Sequence, residues 1–223
     1  MQTFDEQLVQ RIDEYIETLF VPADPVLDAN IANAYAAGLP AINVTPNQGK
    51  LLYLLARIAG ARRVLEIGTL GGYSTTWLGR ALPVDGRLIT LEFSPAHAAT
   101  AQKNLAAAGL GHIVEIKVGD AAASMSAMIA AGEAPFDFIF IDADKTSYPK
   151  YLDLALQLAR PGSVIVADNI IRNGAILDGN PADATTRAVK AYNAAAAAHP
   201  RLESIALPMF KDKIDGMAIS LVK

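Results

Sequence analysis

Hydrophobic positions follow one period in the first sixty residues of the chain and another period after them. In the first part, apolar side chains recur three or four positions apart, as Leu8, Ile12, Tyr15 and Leu19 do. This spacing is typical of amphipathic helices. The predicted helices span residues 4–20, 26–38 and 47–61. The pattern therefore predicts an N-terminal helical region, residues 1–60.

From residue 62, short apolar runs alternate with helical segments. The predicted strands read RVLEIG, RLITLEF, HIVEIKVG, FDFIFID and SVIVADN. The segments between them are predicted as helices at residues 73–82, 94–109, 121–132 and 147–162. Ser94 is a suitable N-cap because Pro95 can occupy the first helical position. Nearly continuous apolar strands indicate a sheet that is covered on both faces, and helices between strands favour parallel crossovers.

The last part of the chain departs from this alternation. A helix at residues 185–200 is followed by two strands, residues 201–209 and 216–223, with no room for a helix between them. We expect an antiparallel hairpin at the edge of the sheet. Because no repeat or linker divides the chain, the pattern predicts one α/β domain over residues 1–223, with residues 61–223 as its core.

Composition narrows the class of protein. The net charge is −4, and the absence of a long Lys/Arg cluster disfavours nucleic acid and anionic membranes as main partners. There is no cysteine, which excludes disulfides, thiolate catalysis and cysteine-bound metal. The N-terminus carries charges where a signal peptide needs an apolar core, and no apolar run approaches the ~20 residues of a membrane span. We therefore expect a cytoplasmic protein.

Acidic residues stand at the ends of all five predicted parallel strands. They are Glu66, Glu92, Asp120, Asp142 and Asp168. In open α/β sheets, ligands bind beyond the carboxyl ends of the strands. Helix capping explains some of these positions, but five together favour a ligand crevice.

A glycine-rich loop follows the first strand. Gly68, Gly71 and Gly72 have the spacing GxxGG, which differs from the dinucleotide fingerprint and by itself suits either a cofactor loop or a tight turn. A carboxylate at Glu66 repels a diphosphate but suits a cationic amino-acid group. Glu92 ends the next strand, where an acidic side chain accepts hydrogen bonds from ribose hydroxyls. These residues favour S-adenosylmethionine over NAD.

Three oxygen-bearing side chains end two strands that we expect to be neighbours. Asp142 follows the fourth strand, and Asp168 and Asn169 follow the fifth. Hard divalent cations prefer such ligands, so the set predicts a site for Mg²⁺, with Mn²⁺ or Ca²⁺ as alternatives. The three histidines, His97, His112 and His199, are expected away from the strand ends, which argues against zinc. The alternative interpretation is that Asp168 and Asn169 only form a turn, because Asp and Asn are common turn residues.

Lys145 lies three residues beyond Asp142, in the loop above the predicted metal. The charged form of a lysine is disfavoured beside a divalent cation, which suits Lys145 to the role of general base. A solvated surface lysine is the alternative interpretation. Asp144 is expected to be a loop or helix-cap residue.

Several motifs together resemble a known family. RRVLEIGTLGGYSTTWLGRAL, VGDA, FIFIDADKTSY, ADN and DGMAISLV are similar to segments of the bacterial O-methyltransferases related to caffeoyl-CoA and catechol O-methyltransferases. The resemblance extends from about VTPNQGKLL to the end of the chain. It implies a Rossmann-like class I methyltransferase fold with strand order 3-2-1-4-5-7-6, the last strand antiparallel. It also implies divalent-metal-dependent methyl transfer to an ortho-dihydroxy aromatic molecule, and a homodimer.

The resemblance carries over to individual residues. Those that would contact S-adenosylmethionine are Val44, Glu66, Gly68, Thr69, Ser74, Glu92, Ala121 and Asp142. Ser74 is expected to donate to the methionine carboxylate near a helix N-terminus, and Asp120 and Ala121 to lie beside the adenine. The glycine loop adds Gly72. The implied metal ligands are Asp142, Asp168 and Asn169, and the implied catalytic residues are Lys145 and Asp142.

The chain departs from the family where the acceptor is expected. Arg172 and Asn173 follow DNII, where many relatives carry a glycine pair, so Arg172 either binds an acidic substrate group or is an exposed loop residue. The loop 172–185 is expected to help choose the substrate, and segment 207–216 is longer than a short turn. Trp77, at helical spacing from Tyr73, favours core packing over a substrate platform. A metal-independent methyltransferase and a non-catalytic nucleotide-binding module are the alternative functions.

Overall fold

The chain forms helices and strands in nearly the predicted alternation within residues 6–210 and 214–223, which the computed structural model describes. The helices are α1 Glu6–Phe20, α2 Pro25–Ala36, α3 Pro46–Ile58, α4 Tyr73–Ala81, α5 Pro95–Ala107, α6 Ala121–Ala130, α7 Tyr148–Leu158 and α8 Ala184–Ala198. The strands are β1 Arg63–Ile67, β2 Arg87–Glu92, β3 Val114–Val118, β4 Phe136–Ile141, β5 Ala159–Ala167, β6 Leu202–Phe210 and β7 Ile214–Val222. Two 3₁₀ helices cover Lys145–Ser147 and Arg172–Leu177.

All seven strands form one sheet in the order β3-β2-β1-β4-β5-β7-β6. Strands β1 to β5 pair in parallel, whereas β7 is antiparallel to both β5 and β6. The strand order, the antiparallel last strand and the C-terminal hairpin are therefore confirmed.

Both faces of the sheet are covered, as the apolar strands predict. Alternate residues of β4 face opposite ways: Ile139 belongs to a buried cluster with Met125 and Leu152 of α6 and α7. Phe138 belongs to a second cluster with Leu52 of α3, which also includes residues of α4 and α5. Every residue of β4 is buried. The central strand thus holds the two layers of helices together and fixes the position of its own carboxyl end.

Local capping starts two of the helices that border the site. Ser94 accepts a hydrogen bond from the backbone of His97, and Pro95 is the first residue of α5, as predicted. Thr45 and Gln48 form a reciprocal capping box at the start of α3. These caps satisfy backbone N–H groups that the first helical turn leaves without partners.

The structure corrects two boundaries. The helix predicted over 147–162 ends at Leu158, and β5 begins at Ala159, because Pro161 cannot continue a helix and Arg160 is held elsewhere. The backbone N–H of Arg160 donates to Ser163 and its guanidinium binds Asp137. The hairpin strands β6 and β7 extend into segment 207–216, so most of it is strand. Residues 1–5 and 211–213 lie outside the described residues.

Within the described ranges, no helix combines the length and the apolar character that crossing a bilayer requires.

Candidate active site

A cleft of about 1830 Å³ opens at the carboxyl ends of the parallel strands. Four of the five acidic residues that end strands line it, namely Glu92, Asp120, Asp142 and Asp168. Residues of α1, α2 and the segment leading into α3 also line it. The crevice lies where the sequence predicts it, and segments from the whole length of the chain meet there.

Glycine is required at position 68 for steric reasons. Gly68 has φ 100°, and a Cβ atom there would lie 2.0 Å from the carbonyl oxygen of Asp142. The loop after β1 and the end of β4 can approach each other only because this side chain is absent. Gly72 instead caps α4 with φ 85° and faces Ala101 of α5, so Gly71 and not Gly72 lines the cleft.

Glu92 holds the glycine loop against the end of β2. Its carboxylate accepts hydrogen bonds from the backbone N–H groups of Thr69 at 3.2 Å, Leu70 at 2.8 Å and Ser94 at 2.9 Å. His97 Nδ1 lies 3.3 Å from the same carboxylate and also lines the cleft, which corrects the expectation that His97 lies away from the strand ends. This carboxylate is placed both to shape the loop and to meet a ligand.

Glu66 lies beneath the cleft and does not line it. Its carboxylate accepts hydrogen bonds from the hydroxyls of Ser74 at 2.6 Å, Thr90 at 2.7 Å and Thr75. Complete burial raises the pKa of Glu66 to about 7, although these hydroxyls act in the opposite direction. While Glu66 is ionised, the Ser74 hydroxyl donates to it and offers a ligand only the oxygen lone pairs, and not the hydrogen that a methionine carboxylate would need.

The remaining predicted cofactor residues lie around the cleft. Val44 is buried at its wall, and Thr69 lies in the glycine loop with its hydroxyl 2.6 Å from that of Thr90. Asp120 and Ala121 line the cleft beyond β3. The carboxylate of Asp120 caps α6 by accepting from the backbone of Ala123 at 2.7 Å. The ends of β1, β2 and β3 thus form one continuous wall.

The predicted metal ligands meet at the tips of β4 and β5. Ile141 pairs with Ala167, and the backbone N–H of Asp168 donates to the carbonyl of Ile141 at 3.0 Å, so Asp142 and Asp168 follow directly paired residues. Both residues and Asn169 line the cleft. Asn169 has φ 57°, a left-handed conformation that asparagine tolerates better than most residues.

The chemistry of this set suits a hard cation. Asp168 is only 4% exposed, and its burial together with the negative charge of Asp142 raises its pKa to about 7. A bound dication would remove this electrostatic conflict. Over the described part of the chain, no group of three or more His, Cys, Asp and Glu side chains is placed to hold a metal. Asp142, Asp168 and Asn169 offer two carboxylates and one amide oxygen. Mg²⁺ accepts such ligands when water and substrate complete its coordination shell.

Lys145 lies directly beside this set. Its Nζ is 2.7 Å from Oδ1 of Asp142 and 4.9 Å from the centre of the Tyr148 ring. Asp144 points elsewhere, because its carboxylate accepts hydrogen bonds from Thr146 and Tyr151. The structure thus brings Lys145 to the candidate metal ligands and leaves Asp144 as the loop residue that the sequence predicts.

Two residues that support the site were missed by sequence reasoning. The hydroxyl of Tyr148, a fully buried residue, lies 3.1 Å from the carbonyl of Ile141 and 2.9 Å from that of Asp168, at the tips of both strands. Asp215 accepts hydrogen bonds from the backbone of Ile171, Arg172 and Gly216 and fixes the loop after β5. Both residues fall inside motifs quoted for the family, FIFIDADKTSY and DGMAISLV, and this was the available signal.

Two further candidates lie outside the cleft. Arg172 is half-buried with φ 54°, and its Nε has no hydrogen-bond partner among the described residues. Trp77 packs edge-on against Tyr53 and covers Gly49, as the packing interpretation predicts. Neither side chain lines the cleft.

A seven-stranded sheet in this order, with a glycine loop after β1 and an acidic residue at the end of β2, defines the class as a Rossmann-like, S-adenosylmethionine-dependent methyltransferase. A model of the O-methyltransferase family matches residues 21–222. The chain belongs to this family and is an S-adenosylmethionine-dependent O-methyltransferase, which confirms the resemblance of its motifs.

Individual relatives agree with this assignment. The chain is 46% identical to a catechol O-methyltransferase of Niastella koreensis, over 98% of this chain and 100% of the relative. It is 45% identical to a catechol O-methyltransferase of Mycobacterium tuberculosis, over 95% of both chains. The crystal structure of an O-methyltransferase from Bacillus cereus in complex with SAH (S-adenosylhomocysteine) has a TM-score of 0.95 and 41% identity, covering 98% of this chain and 100% of that one.

Proposed function

We propose that this protein transfers the methyl group of S-adenosylmethionine to one hydroxyl of an ortho-dihydroxy aromatic molecule, with Mg²⁺ bound by Asp142, Asp168 and Asn169. The observation that carries the proposal is that these three residues lie at adjacent strand tips in the same cleft as the glycine loop. Two relatives that match nearly the whole chain are named catechol O-methyltransferases, which supports a catechol as the acceptor.

The cofactor would lie along the ends of β1, β2 and β3. Glu92 would accept hydrogen bonds from the ribose hydroxyls, and Asp120 and Ala121 would border the adenine. Gly68 and Thr69 of the loop, with Val44 and Ser74, would enclose the methionine part. Gly72 would act by turning the chain into α4, and Glu66 would act beneath the cleft by orienting Ser74. Asp142 would border both the cofactor and the metal. S-adenosylmethionine supplies an electrophilic methyl group when it is bound.

The metal would be held by Asp142, Asp168 and Asn169, and when bound it favours the ionised form of an acceptor hydroxyl. Lys145 is the residue placed to take the hydroxyl proton at Nζ. In this structure its ammonium is paired with Asp142, so the pair must open, and Lys145 must release a proton, before it can act as a base. The residues that line the cleft would surround the acceptor and fix it in line with the methyl group.

The charges that line the cleft favour a neutral or cationic acceptor over an anionic one. Among the described lining residues, the acidic ones are Asp13, Glu17, Glu92, Asp120, Asp142, Asp144, Asp168 and Asp215. Only two lysines, Lys50 and Lys145, and His97 oppose these eight carboxylates. A dication and a sulfonium would not neutralise the excess, so catechol amines suit this cleft better than coenzyme A esters.

The test of the proposed function is methyl transfer from S-adenosylmethionine and Mg²⁺ to a panel of acceptors, followed by mass spectrometry. Catechol, dopamine, caffeate and caffeoyl-CoA cover the three charge classes. We expect a mass increase of one methyl group for catechol and dopamine, smaller kcat/KM values for the anionic acceptors, and loss of transfer in excess EDTA. Full transfer in EDTA would instead favour a metal-independent methyltransferase. Thermal stabilisation by nucleotides and not by S-adenosylhomocysteine would favour the nucleotide-binding module.

We further propose that the whole chain is one methyltransferase domain that acts as a homodimer. Leu27 and Leu52 of the N-terminal helices share a buried cluster with Val64 of β1, which supports a single unit. Ile12, Tyr15 and Leu19 on α1 are each about half exposed or more, and with Leu8 they form an apolar stripe at coiled-coil spacing.

The dimer is tested by light scattering on Ile12→Glu and on a control variant, Val84→Glu, which changes an exposed apolar residue in the turn before β2. We expect a dimer for the wild type and the control and a monomer for Ile12→Glu. A monomeric wild type would contradict the proposed assembly and leave the catalytic proposal intact.

A further inference from the structure

Three apolar side chains that line the cleft are exposed. Phe20 at the end of α1 is 59% exposed, Ile42 in the segment before α3 is 70% exposed, and Leu54 of α3 is 45% exposed. Among the described residues, none of the three belongs to either buried cluster or packs against one. Exposed apolar side chains that gather in one cleft are typical of a surface that binds an apolar ligand.

Helix α3 connects these side chains with the candidate metal ligands. At its start, Nε2 of Gln48 lies 3.1 Å from the sulfur of Met209 in β6. Met209 pairs with Asp215, whose carboxylate accepts from the backbone of Ile171 in the loop that follows the metal ligands. Leu54 lies six residues beyond Gln48, which is about 9 Å along an α-helix. The helix therefore leads from the side of the metal ligands to Leu54.

One face of α3 lines the cleft over two turns. Asn47, Leu51 and Leu54, which follow each other at intervals of four and three positions, all contribute to it. Nζ of Lys50, which also lines the cleft, donates to the backbone carbonyl of Phe20. This contact places the end of α1 beside α3, within one turn of Leu54.

The cleft is larger than the cofactor and a simple catechol require. Its volume is about 1830 Å³, whereas a cleft for one drug-sized ligand measures roughly 300 to 1,000 Å³. S-adenosylmethionine is a ligand of that size, so it leaves about 800 Å³ or more for the acceptor. A single ring with two hydroxyls would leave much of this space to water, beside exposed apolar side chains.

We propose that the acceptor is a catechol with an uncharged apolar substituent, and that Phe20, Ile42 and Leu54 bind this substituent; this rests on the proposed function. A catechol whose hydroxyls face the tips of β4 and β5 directs its carbon 4 away from them. An alkyl chain or a second ring at this carbon extends the acceptor along α3. The excess of carboxylates in the cleft disfavours a negatively charged substituent.

The experiment compares catechol with 4-methyl-, 4-butyl- and 4-hexylcatechol. It measures kcat/KM for methyl transfer, and also the affinity by calorimetry with Mg²⁺ and S-adenosylhomocysteine bound. In the wild type, we expect each added methylene to raise both quantities roughly two- to fourfold, because it leaves water.

Two variants of α3 locate the effect. Leu54→Gln should fold, because Leu54 packs against neither buried cluster and glutamine is a good helix former. We expect it to lower the ratio of 4-hexylcatechol to catechol, in both quantities, roughly threefold or more. Ile58→Gln is the matched control and should keep the wild-type ratio. Ile58 lies one turn further along α3, is 81% exposed and is not among the described residues that line the cleft.

Equal values for catechol and 4-hexylcatechol in the wild type, or equal losses in Leu54→Gln and Ile58→Gln, would overturn the inference. Light scattering adds a further check: a monomeric Leu54→Gln beside a dimeric wild type would assign this surface to a second copy of the chain and overturn it as well. If no catechol of the series is bound or methylated, the proposed function itself fails. Methylation of catechol without a gain from chain length leaves that function intact and removes only the apolar site.

Discussion

At the scale of single residues, the proposed base and one proposed metal ligand are bound to each other in this structure. Lys145 and Asp142 form an ion pair at 2.7 Å, and both side chains are largely buried, with 14% and 21% of their surface exposed. Water therefore screens the pair less than it screens a surface pair. A cation that binds Asp142 must compete with the ammonium of Lys145, and the ammonium that leaves is close to the group it would deprotonate.

Replacing Lys145 should therefore separate metal binding from turnover. We expect Lys145→Met to bind Mg²⁺ a few-fold more tightly, because Asp142 is released, and to lower kcat roughly 10²- to 10⁴-fold, because the base is lost. Calorimetry and initial rates measure the two effects. Lys50→Met, which changes the other lysine of the cleft, should leave the metal affinity unchanged. Weaker metal binding in Lys145→Met would contradict the competition.

Glu66 gives a pH dependence of stability. Its pKa is about 7 in the folded protein and 4.5 in its ordinary state, so between these values the folded state holds a proton that the unfolded state has released. This contribution to stability is complete below pH 4.5 and is lost as the pH rises through 7. Relative to Glu66→Gln, the wild type should lose up to about 3 kcal/mol over this window. Urea unfolding at several pH values measures the difference, and parallel curves would refute it.

The residue scale also shows where sequence reasoning succeeds and where it fails. Asp142, Asp168 and Asn169 could be predicted because the end of an apolar strand is visible in the sequence and parallel strands end at the same edge. The direction in which the Glu66 side chain points could not be predicted from the sequence. It depends on the hydroxyls of Ser74, Thr75 and Thr90, which come together only in the folded protein.

At the scale of elements, Tyr148 joins the two strands that carry the candidate metal ligands. Its hydroxyl contacts the last carbonyl of β4 and the carbonyl of Asp168, and its ring packs edge-on against Tyr192 of α8. The first residue of α7 therefore determines the spacing of two strand tips.

Two tyrosine variants test whether Tyr148 links the two strand tips specifically or only contributes to packing. We expect Tyr148→Phe to cost about 1 to 2 kcal/mol of stability and to weaken metal binding roughly tenfold, because the strand tips lose a common donor. Tyr192→Phe is the matched control: it removes, from the same aromatic cluster, a buried hydroxyl that has no hydrogen-bond partner among the described residues. It should leave both quantities unchanged or raise the stability. Chemical unfolding and calorimetry measure them. Equal losses in both variants would show general packing and not a specific link.

Element boundaries were less predictable than element types. The helix that ends at Leu158 was predicted to extend four residues further. The apolar pattern gives no sign of the ion pair between Arg160 and Asp137, which forms only in the folded protein. The hairpin strands β6 and β7 were predicted too short for a similar reason, since their polar ends pair only once the two strands lie together.

At the scale of the whole molecule, the cleft is built from distant parts of the chain. Residues of α1 and α2 line the same cleft as the ends of β4 and β5, which are more than a hundred positions away in the sequence. Periodicity predicted the parallel α/β sheet, but the order of its strands came from the family resemblance, because strands of similar apolar character carry no signal of their neighbours. The position of α1 over the cleft was not predicted, because its spacing indicates a helix and not a partner.

The central claim is that the tips of β4 and β5 hold a divalent cation beside the cofactor. The most direct measurement is an anomalous difference map from crystals soaked with Mn²⁺ and S-adenosylhomocysteine. We expect one strong peak between the side chains of Asp142, Asp168 and Asn169, and no peak in crystals of Asp168→Ala treated in the same way. A map of the wild type with S-adenosylhomocysteine bound and no metal peak at these side chains would contradict the claim.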